Sequence, residues 1–568
     1  MQLAALSHRT ESEDCFLVDR DHVKLRFHTA KDDVEKVLVH YCDAYEQLEN
    51  ADVIEMSFLG EGQVKDHWEA VLKLPYHRVQ YIFEIIGKDG QKVYLGDRGI
   101  RFDKKELLIP ENYFKLPYFH EIDMVKTPEW VKHTVWYQIF PERFANGDPT
   151  NDPEGTKPWN PEDHPGRNDF YGGDLQGVLD HLDDLEKLGV NGLYFCPIFK
   201  SASNHKYDTI DYLEIDPNFG DKKLFAKLVN EAHRRGMHVM LDAVFNHMGD
   251  YSMQWQDVVK NGKNSRFADW FHINRFPVEP YDEKDPSYET FAFEKHMPKL
   301  NTANLQVQDY LLTIATYWIK EFDIDAWRLD VANEVDHHFW RKFHDAVTSI
   351  KKDFYIVGEV WHSSQPWLNG DEFSGVMNYP FTQQIEDHFL KGTRDAKTMT
   401  ELLTDQLVMY RDSVNQVMLN MLDSHDTARI KTVAGEDEDK ALQALAFTFL
   451  QTGAPCIYYG TEMGMSGKND PDCRKPMDWS KKESPVWQTV SQIIKFRLKH
   501  ADTLSKGSCL LTVDDDLIHV LRKGTETIEA WFNTTDNPVS IKKVASLSRG
   551  YKSGVLNPKG YLISVKGK

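Results

Sequence analysis

Several features that define whole classes of protein are absent or rare in this sequence of 568 residues. Its six cysteines are scattered without CxxC spacing, which argues against a zinc knuckle or a disulfide framework. No stretch approaches the ~20 consecutive apolar residues that a membrane span requires. The opening MQLAALSHRTESEDC has no basic n-region and only a short apolar patch. We therefore expect no secretory signal and a reducing, cytoplasmic location.

Positive charge is also scarce, because 67 Lys and Arg residues face 89 Asp and Glu residues, for a formal charge of −22. Binding to phosphate backbones requires clustered positive charge, so the balance excludes a general nucleic-acid binder. The composition, 41% hydrophobic and 12% aromatic, is typical of a soluble globular protein without a membrane partner. The length predicts two to four domains, since single hydrophobic cores stop growing at roughly 250–300 residues.

Both ends of the chain consist of short β-rich segments. Residues 1–124 contain VKLRFHT, KVLVHYC, HWEAVLKL and RVQYIFEIIG, the last joined through KDGQ to KVYL as a hairpin. Residues 503–568 contain LLTVDDDLIHVLRK, TIEAWFNTT and GYLISVKG. These patterns predict an N-terminal and a C-terminal β-sandwich domain.

The middle of the chain alternates apolar strands with helical stretches. Eight strands are legible, namely TVWYQIF, GLYFCPIF, HVMLDAVF, DAWRLDVA, FYIVGEVW, SGVMNY, VMLNMLDS and PCIYYGTE. The count and the alternation predict an α/β fold, a (β/α)8 TIM barrel over residues 125–245 and 299–502, with its active site at the carboxyl ends of the strands. Residues 246–298 are too long for an ordinary loop and predict a small inserted domain B after the third strand.

Three acidic residues fall at predicted strand ends: Asp330 after the fourth strand, Glu359 after the fifth and Asp426 after the seventh. They are so far apart in sequence that only the barrel can bring them together. Paired carboxylates flanking a bond are what glycoside hydrolysis requires. The alternative for each one taken alone is that it caps a helix or solvates a loop.

The residues next to these carboxylates favour a catalytic role over helix capping or loop solvation. Arg328 and Asp330 are two residues apart on a strand and so face the same side, where the cation is expected to keep Asp330 ionised and nucleophilic. Glu359 ends an otherwise apolar strand and stands two residues before Trp361. A general acid must keep its proton near neutral pH, and acidic and aromatic neighbours favour that.

Histidines and aromatic side chains surround these motifs. His247 and His425 could donate to sugar hydroxyls, although each taken singly is more often structural. Flat rings on which sugars could stack are Tyr207, Trp255, Trp270, Phe293, Trp361 and Trp367.

Four motifs carry a resemblance to the α-amylase family, glycoside hydrolase family thirteen: DAVFNH (242–247), WRLDVANEV (327–335), GEVWH (358–362) and LDSHD (422–426). A fifth, MPKLN (297–301), resembles the neopullulanase, cyclomaltodextrinase and maltogenic amylase group. The resemblance implies a retaining α-glycosidase with Asp330 as nucleophile, Glu359 as acid/base and Asp426 as the carboxylate that grips and distorts the sugar. It also implies substrate-holding roles for Arg328, His247, His425, Tyr207, Asp470 and Arg474. Trp361 is added to these substrate-binding candidates as a ring on which a sugar could stack. Glu334, just past the nucleophile, is a candidate to hold the attacking water or sugar.

A calcium site is predicted in the loop NGDPTND (146–152). Asn146, Asp148, Asn151 and Asp152 offer oxygen-bearing side chains, and GGD (172–174) adds the carbonyl of Gly172 and the side chain of Asp174. An ordinary Asx-rich turn is the alternative. The loop resembles the calcium loop of neopullulanase relatives, which implies structural Ca²⁺.

We therefore predict a cytoplasmic hydrolase of α-1,4-linked glucans, acting on cyclodextrins, maltooligosaccharides and pullulan or starch, with some transglycosylation. The resemblance further implies a homodimer in which residues 1–124 are an arm over the partner's barrel; the alternative is a glucan-binding module on a monomer. An α-glucosidase or a glucan transferase on the same scaffold stays open, as does a non-catalytic starch-binding protein.

Overall fold

The computed structural model describes residues 1–566, and its contacts divide the chain into two compact units. Unit 1 comprises Met1–Lys126, Thr393–Gln416 and the chain from Lys506 onward, and unit 2 comprises Thr127–Gly392 and Val417–Ser505. The last two residues of the predicted segment 503–568 lie outside the described residues, and the domain boundaries stay predictions. Among the described residues, no helix has the length and apolarity that crossing a membrane demands.

The N-terminal part of unit 1 is a β-sandwich, as its alternating segments predict. Its strands are β1 (Cys15–Asp19), β2 (His22–Ala30), β3 (Val34–Cys42), β4 (Asp52–Glu55), β5 (Ser57–Glu61), β6 (Lys65–Lys73), β7 (Val79–Gly87), β8 (Lys92–Gly96), β9 (Gly99–Arg101) and β10 (Phe114–Leu116). One sheet has the order β1-β2-β6-β5, and the other has the order β4-β3-β7-β8-β9 with β10 on β7. Inward side chains of both sheets, such as Phe27 and Phe83, form one apolar core.

Unit 2 contains the predicted barrel. Its strands are β11 (Trp136–Ile139), β12 (Gly192–Phe195), β13 (Phe199–Ser201), β14 (Thr209–Ile215), β15 (His238–Ala243), β16 (Ala326–Leu329), β17 (Tyr355–Gly358), β18 (Gly375–Val376), β19 (Leu419–Asn420) and β20 (Ala454–Tyr458). Eight of them pair in parallel in the order β18-β17-β16-β15-β12-β11-β20-β19, and β13 pairs only with β14. A parallel bridge between Met377 and Leu419 joins the two ends of the sheet. The (β/α)8 prediction is confirmed.

α-Helices alternate with the barrel strands, while two lie entirely in unit 1. They are α1 (Pro141–Phe144), α2 (Leu175–Asp180), α3 (Leu182–Leu188), α4 (Lys222–Arg234), α5 (Met253–Asn261), α6 (Leu305–Phe322), α7 (His337–Ile350), α8 (Tyr379–Ile385), α9 (Ala396–Val408), α10 (Asp412–Asn415), α11 (Ile430–Val433), α12 (Glu438–Phe449), α13 (Pro485–Lys499) and α14 (Ala501–Lys506). The two in unit 1 are α9 and α10. The start and stop signals act as expected: Asp221 caps the backbone N–H of Leu224 at the start of α4, and Gly189, at φ 106°, ends α3.

The long segment 246–298 after β15 contains α5 and a few isolated β-bridges around its own aromatic cluster. Trp255 packs edge-on against Phe271 at a centroid distance of 4.9 Å and contacts Tyr288 at 4.6 Å. Bridges between His247 and Lys299 and between Phe271 and Leu300 return the chain to the barrel. These bridges bring the MPKLN motif beside the end of β15.

The C-terminal strands of unit 1 are β21 (Ser508–Asp514), β22 (Leu517–Lys523), β23 (Thr527–Asn533), β24 (Val539–Ser540), β25 (Leu547–Lys552) and β26 (Val555–Lys566). They form a single hydrogen-bonded sheet, in which the long β26 pairs with β23, β24 and β25, rather than two separate sheets.

The segment 393–416, which the sequence pattern places in the barrel, packs in unit 1 instead. Helix α9 contacts β5 and β21, and the buried Arg26 of β2 donates to the Tyr410 carbonyl at 2.7 Å and to the Asp412 carboxylate at 2.5 Å. These long-range polar contacts have no signature in local sequence, so the pattern alone could not reveal them.

Candidate active site

Three neighbouring barrel strands deliver acidic side chains to the same point. In the parallel register Asp242 of β15 lies opposite Arg328 of β16, and Glu359 follows β17 directly. Asp330 stands two residues after Arg328, just beyond the end of β16. All four side chains are buried, as expected for the carboxyl ends of inward-facing strands.

One guanidinium holds the carboxylates together. Arg328 Nη1 lies 2.7 Å from Asp330 Oδ1 and 2.9 Å from Asp242 Oδ1, and Nη2 lies 2.9 Å from Glu359 Oε2. The proximity of Arg328 and Asp330 that their spacing predicts is therefore present. The barrel adds two further acidic groups to the same cation.

The electrostatics correct one expectation. We expected Arg328 to keep Asp330 ionised, but burial, together with the charges of Glu359 and Asp242, outweighs the guanidinium and raises the pKa of Asp330 well above its usual range. Burial likewise raises the pKa of Asp242 to about 6, against the pull of Arg328. Because three carboxyl groups share one cation in a buried site, the cluster favours keeping a proton.

Glu359 is held at both oxygens by neutral donors. The backbone N–H of Val331 donates to Oε2 at 2.9 Å, and the indole Nε1 of Trp361 donates to Oε1 at 2.9 Å. The indole stacks on Tyr379 with a centroid distance of 3.5 Å and an interplanar angle of 9°. Val331 has a φ of 46°, a strained conformation for a β-branched residue, and this turn aims its N–H at Glu359.

A hydrogen-bond network fixes His425 and Tyr207. Burial lowers the pKa of His425 well below its usual range, so the ring is neutral. The amide of Gln138 donates to Nδ1 at 2.9 Å, which leaves the proton on Nε2. That nitrogen faces the Tyr207 hydroxyl at 2.6 Å, and the hydroxyl in turn donates to Asp242 Oδ2 at 2.9 Å.

Asp426 and the predicted pair Asp470 and Arg474 meet at the edge of this network. Arg474 lies 3.3 Å from Asp426 and 2.9 Å from Asp470, and its Nε donates to the His425 carbonyl at 2.8 Å. His425 Nε2 lies 3.1 Å from Asp426. The Asp426 side chain is about one-third exposed, at 32%, whereas that of Asp330 is buried, so Asp426 is the more accessible of these two carboxylates.

His247 is neutral and both of its ring nitrogens are engaged by protein groups. Burial lowers the pKa of His247 to about 3. Nε2 lies 3.2 Å from the Tyr207 carbonyl and Nδ1 lies 3.2 Å from the Asn246 amide nitrogen. Glu334 is partly exposed and pairs with Lys299 at 2.9 Å.

The aromatic candidates separate into two groups. Trp255, Trp270 and Trp367 are buried, and Trp270 donates its Nε1 to Gln306 at 3.1 Å, so these three side chains pack inside the fold. Phe293 and Trp361 are exposed, by 67% and 51% respectively, and can present a face to a ligand.

The loop predicted to bind calcium has the oxygen atoms that a hard cation needs. The amide oxygens of Asn146 and Asn151 are buried without a hydrogen-bond partner, and the Asn146 amide donates to Asp152 at 2.9 Å. Burial raises the pKa of Asp152, and the charges of Asp174 and Asp148 act in the same direction. Gly172, at φ 81°, lies against Asp152 and Asn146, where a Cβ would collide with both side chains.

Asp174 organises the same loop. Its carboxylate accepts hydrogen bonds from the backbone N–H groups of Gly147 at 3.0 Å, Asp148 at 2.8 Å and Gly177 at 2.6 Å, and from the Asn151 amide at 3.1 Å. Asp148 itself accepts from the N–H of Thr150. Within residues 1–566 no group of three or more His, Cys, Asp or Glu side chains is arranged to hold a metal, so amide and carbonyl oxygens would supply much of this ligand set.

Sequence reasoning missed four residues that the structure places at the site: Gln138, Asp242, Asn246 and Lys299. Asp242 carried a usable signal, because an acid inside the apolar strand HVMLDAVF needs a partner just as Glu359 does. Asn246 and Lys299 lie within the motifs DAVFNH and MPKLN, but the motifs alone gave them no role, and Gln138 has no distinctive pattern. Only the closed barrel brings these three residues to their partners in the site.

Comparison with known proteins adds to this geometry. Residues 138–523 match the family described as alpha amylase, catalytic domain, and residues 1–120 match the alpha amylase N-terminal ig-like domain. The intracellular maltogenic amylase of Bacillus subtilis (strain 168) is 48% identical over 557 residues, 96% of this chain and 94% of that protein. Neopullulanase 2 of Thermoactinomyces vulgaris is 43% identical over 512 residues, 89% and 86% of the two chains. A solved structure of a cyclomaltodextrinase superposes with a TM-score of 0.91 at 43% identity, covering 97% of this chain and 94% of that one.

Proposed function

The chain belongs to the α-amylase family of glycoside hydrolases, and on that premise we propose that it cleaves the α-1,4-glucosidic bonds of cyclodextrins, maltooligosaccharides and pullulan, with some transfer to other sugars. The observation that carries the proposal is the single guanidinium of Arg328 in contact with Asp330, Glu359 and Asp242. This contact brings two carboxyl groups with different neighbours within reach of one bond, as glycoside hydrolysis requires.

The proposed reaction has two steps. In the first, the proton that the cluster retains is on Glu359 and Asp330 is the carboxylate. An oxygen of Asp330 attacks the anomeric carbon from the face opposite the leaving group, while Glu359 gives its proton to the glycosidic oxygen. The bond from the anomeric carbon to the leaving oxygen breaks, and a glycosyl ester of Asp330 forms. In the second step Glu359 takes a proton from water, or from a sugar hydroxyl, and the resulting oxygen displaces Asp330. Two inversions give net retention.

The surrounding groups hold the sugar in this scheme. Asp426 is partly exposed and paired with Arg474, so it can accept hydrogen bonds from sugar hydroxyls without a buried charge left unpaired. Neutral His425 and His247 offer N–H donors to the same ring, in exchange for the protein partners that they have now. The exposed face of Trp361 suits stacking on a neighbouring glucose unit.

Product chromatography tests the substrate class. β-Cyclodextrin, pullulan and starch are supplied separately, and maltose or short maltooligosaccharides are expected from the cyclic substrate. Glucose as the sole product would favour an α-glucosidase, and predominant chain exchange would favour a transferase. No turnover of any substrate would leave a starch-binding protein and contradict the proposal.

Stereochemistry tests the roles of the two carboxylates. Anomer-resolved NMR of the first product is expected to show α-configured sugar, whereas β-configured sugar would contradict retention. Azide added to an Asp330→Gly variant should yield a glycosyl azide of inverted configuration, because azide enters from the vacated face. Azide added to Glu359→Ala should yield the retained configuration, because it attacks the enzyme ester.

We also propose that Ca²⁺ binds the 146–152 loop with a structural role. The two orphaned amide oxygens of Asn146 and Asn151 support it, since a buried oxygen without a partner is costly. Chelator should lower the melting temperature by mass action, and Asp152→Ala should remove that sensitivity. The absence of metal in elemental analysis of protein purified without chelator would contradict the proposal.

A homodimer and a cytoplasmic location complete the proposed function. Residues 1–120 match the alpha amylase N-terminal ig-like domain, which is the part of the chain proposed as the dimer arm, and one relative is named an intracellular enzyme. Light scattering should measure the oligomeric state of the intact chain. Removal of the residues before Lys126 would also remove Arg26 and His67, which bind Asp412 and Asp405. A monomer at micromolar concentration, with an unchanged preference for cyclodextrin over starch on dilution, would contradict the arm.

A further inference from the structure

The ammonium group of Lys299, in the MPKLN motif, joins two elements of the site that the mechanism does not itself connect. Lys299 Nζ donates to the Glu334 carboxylate at 2.9 Å, to the Glu334 backbone carbonyl at 3.4 Å and to the side-chain oxygen of Asn246. An ammonium group has three N–H donors, and here each has an acceptor. The side chain is therefore held in one orientation.

The backbone of Lys299 is equally constrained. Its N–H donates to the Glu289 carbonyl at 2.9 Å, its carbonyl accepts from the N–H of His272 at 3.2 Å, and the residue bridges to His247 at the end of β15. A lysine on a fixed backbone with three acceptors cannot swing away without leaving the Glu334 carboxylate unpaired. The Glu334 side chain is nevertheless 44% exposed, so it can meet a ligand.

Asn246 extends the effect of Lys299 toward the donor sugar. Because the Asn246 oxygen faces the ammonium, its amide nitrogen faces His247 Nδ1 at 3.2 Å. The Asn246 amide donates, so His247 Nδ1 is the acceptor and the His247 proton resides on Nε2. Lys299 thus orients the Glu334 carboxylate directly and, through Asn246, fixes the tautomer of His247.

We propose that Lys299 is a positioning residue that holds Glu334 for the acceptor attacking the glycosyl ester, and that it thereby sets the ratio of transfer to hydrolysis. The inference rests on the proposed function, since it presupposes that ester. Water and a sugar hydroxyl compete in the second step, and a fixed carboxylate favours whichever acceptor it can bind in an attacking pose. The first step, in which Asp330 attacks, does not involve Glu334.

The test separates the two steps with 4-nitrophenyl α-maltoside as donor and excess glucose as acceptor. Release of nitrophenol reports the first step, and chromatography of the sugars reports the share of transfer. Lys299→Met removes the three donors at matched length, and Glu334→Gln removes the charge of their partner. Lys295→Met, an exposed lysine in the same inserted segment, is the matched control.

Lys299→Met and Glu334→Gln should each change the transfer-to-hydrolysis ratio by about two- to fivefold in the same direction, the range of a partly exposed ion pair. The double variant should change it no more than the larger single change, because the two residues act through one contact. Lys299→Arg keeps the charge but not the three donor directions, so its ratio should fall between those of the unchanged protein and Lys299→Met. Lys295→Met should leave the ratio unchanged.

A purely structural lysine would give another result. In that case Lys299→Met lowers the melting temperature and slows nitrophenol release, while the ratio stays at its original value, and the proposal is wrong. Additive effects in the double variant would also overturn it. If Lys299→Met does not fold, Lys299→Gln gives the same comparison. Failure of the unchanged protein to release nitrophenol would contradict the proposed function itself, which a shift in ratio among active variants cannot do.

Discussion

Two buried polar clusters, one in each unit, use the same residue types with opposite outcomes. In unit 2 three carboxyl groups share the single cation Arg328, and burial raises the pKa of Asp330 and Asp242. In unit 1 a chain runs from Asp14 through His28 and His67 to Asp405, with contacts of 2.8, 2.7 and 2.8 Å. There burial works against ionisation, but hydrogen bonds from the histidines lower the pKa of both Asp14 and Asp405.

The number of donors for each carboxylate explains the difference. In unit 1 each aspartate has its own imidazole, and the contact between the two Nδ1 atoms requires a third proton between the rings. Burial lowers the pKa of His67, so that ring is the neutral acceptor of the pair. In unit 2 the negative groups outnumber the positive one. Buried carboxylates thus stabilise the fold where each has its own hydrogen-bond donor. Where they outnumber the cations their pKa is raised, as is typical of catalytic groups.

The strongest test of this contrast is to neutralise the carboxylates in excess. Asp330→Asn and Glu359→Gln should each reduce turnover at least about 10³-fold, because each removes a covalent or proton-transfer role. The melting temperature of Asp330→Asn at pH 7 should not fall, and is expected to rise, since a carboxyl group whose pKa is raised on folding destabilises the fold when ionised. Calorimetry and nitrophenol release measure both. An unstable Asp330→Asn protein would mean that the cluster is matched after all.

The raised pKa of Asp242 predicts that stability depends on pH. Its folded pKa of about 6 lies above the ordinary 3.8, so the folded state holds the proton more tightly and stability falls as pH rises from about 4 to about 6. Asp242→Asn escapes this loss. Its stability relative to the unchanged protein should improve by about 2 kcal/mol between pH 4.5 and pH 7.5, because about 1.5 pH units below the folded pKa lie in that window, at 1.36 kcal/mol per unit. Urea unfolding at both pH values measures it.

A matched control for that experiment is Asp345→Asn, an exposed carboxylate on α7. Its difference from the unchanged protein should be the same at both pH values. If the stability of Asp242→Asn also differs from that of the unchanged protein by the same amount at both pH values, the raised pKa of Asp242 is contradicted.

The hydrogen-bonded chain from Asp14 to Asp405 in unit 1 should show the opposite dependence of stability on pH. His67→Gln breaks the bridge to Asp405 and should cost about 2 kcal/mol at pH 7.5, because it leaves buried groups unpaired. His67 has a lowered pKa, so its neutral form is favoured on folding and its contribution is complete above the ordinary 6.5 and is lost as pH falls below that value. The deficit should therefore shrink toward pH 5. His22→Gln, a partly exposed pair with Asp19, should cost under about 0.5 kcal/mol.

An effect smaller than that of His67→Gln is expected at a hydrogen bond between neutral groups in unit 1. Burial lowers the pKa of His8 to about 4, and its Nε2 accepts from the Tyr81 hydroxyl at 2.8 Å. Tyr81→Phe should cost about 1 kcal/mol, equally at pH 5.5 and pH 8, because neither group changes charge in that range. A pH-dependent cost would show that His8 is coupled to the proton of the histidine chain.

Much of the architecture was predictable because it is written in local patterns. Nearly every residue of the eight barrel strands is buried, so their sequences lack the polar alternation of a half-exposed strand and are legible as parallel strands. The placement of Asp330 and Glu359 at strand ends followed from that pattern alone. The membership of helix α9 in unit 1 was not predictable, because its contacts join residues more than 300 positions apart.

The ionisation of the carboxyl groups in the site could not be predicted from the sequence either. The spacing of Arg328 and Asp330 indicated one favourable pair, and this suggested an ionised nucleophile. Asp242 and Glu359 contact the same guanidinium only through the register of three strands. A carboxylate's pKa depends on every charge within a few ångströms, and sequence shows only the charges that are near in the chain.

The sequence by itself determined the barrel, the flanking strands and the residue types at the strand ends, because hydrophobic periodicity and chain direction are local properties. Tertiary structure alone decided how many charges each cation serves, which proton each histidine keeps and which acceptors Lys299 reaches. Those properties depend on burial and on distances between side chains that are remote in the chain. They exist only once the barrel has closed.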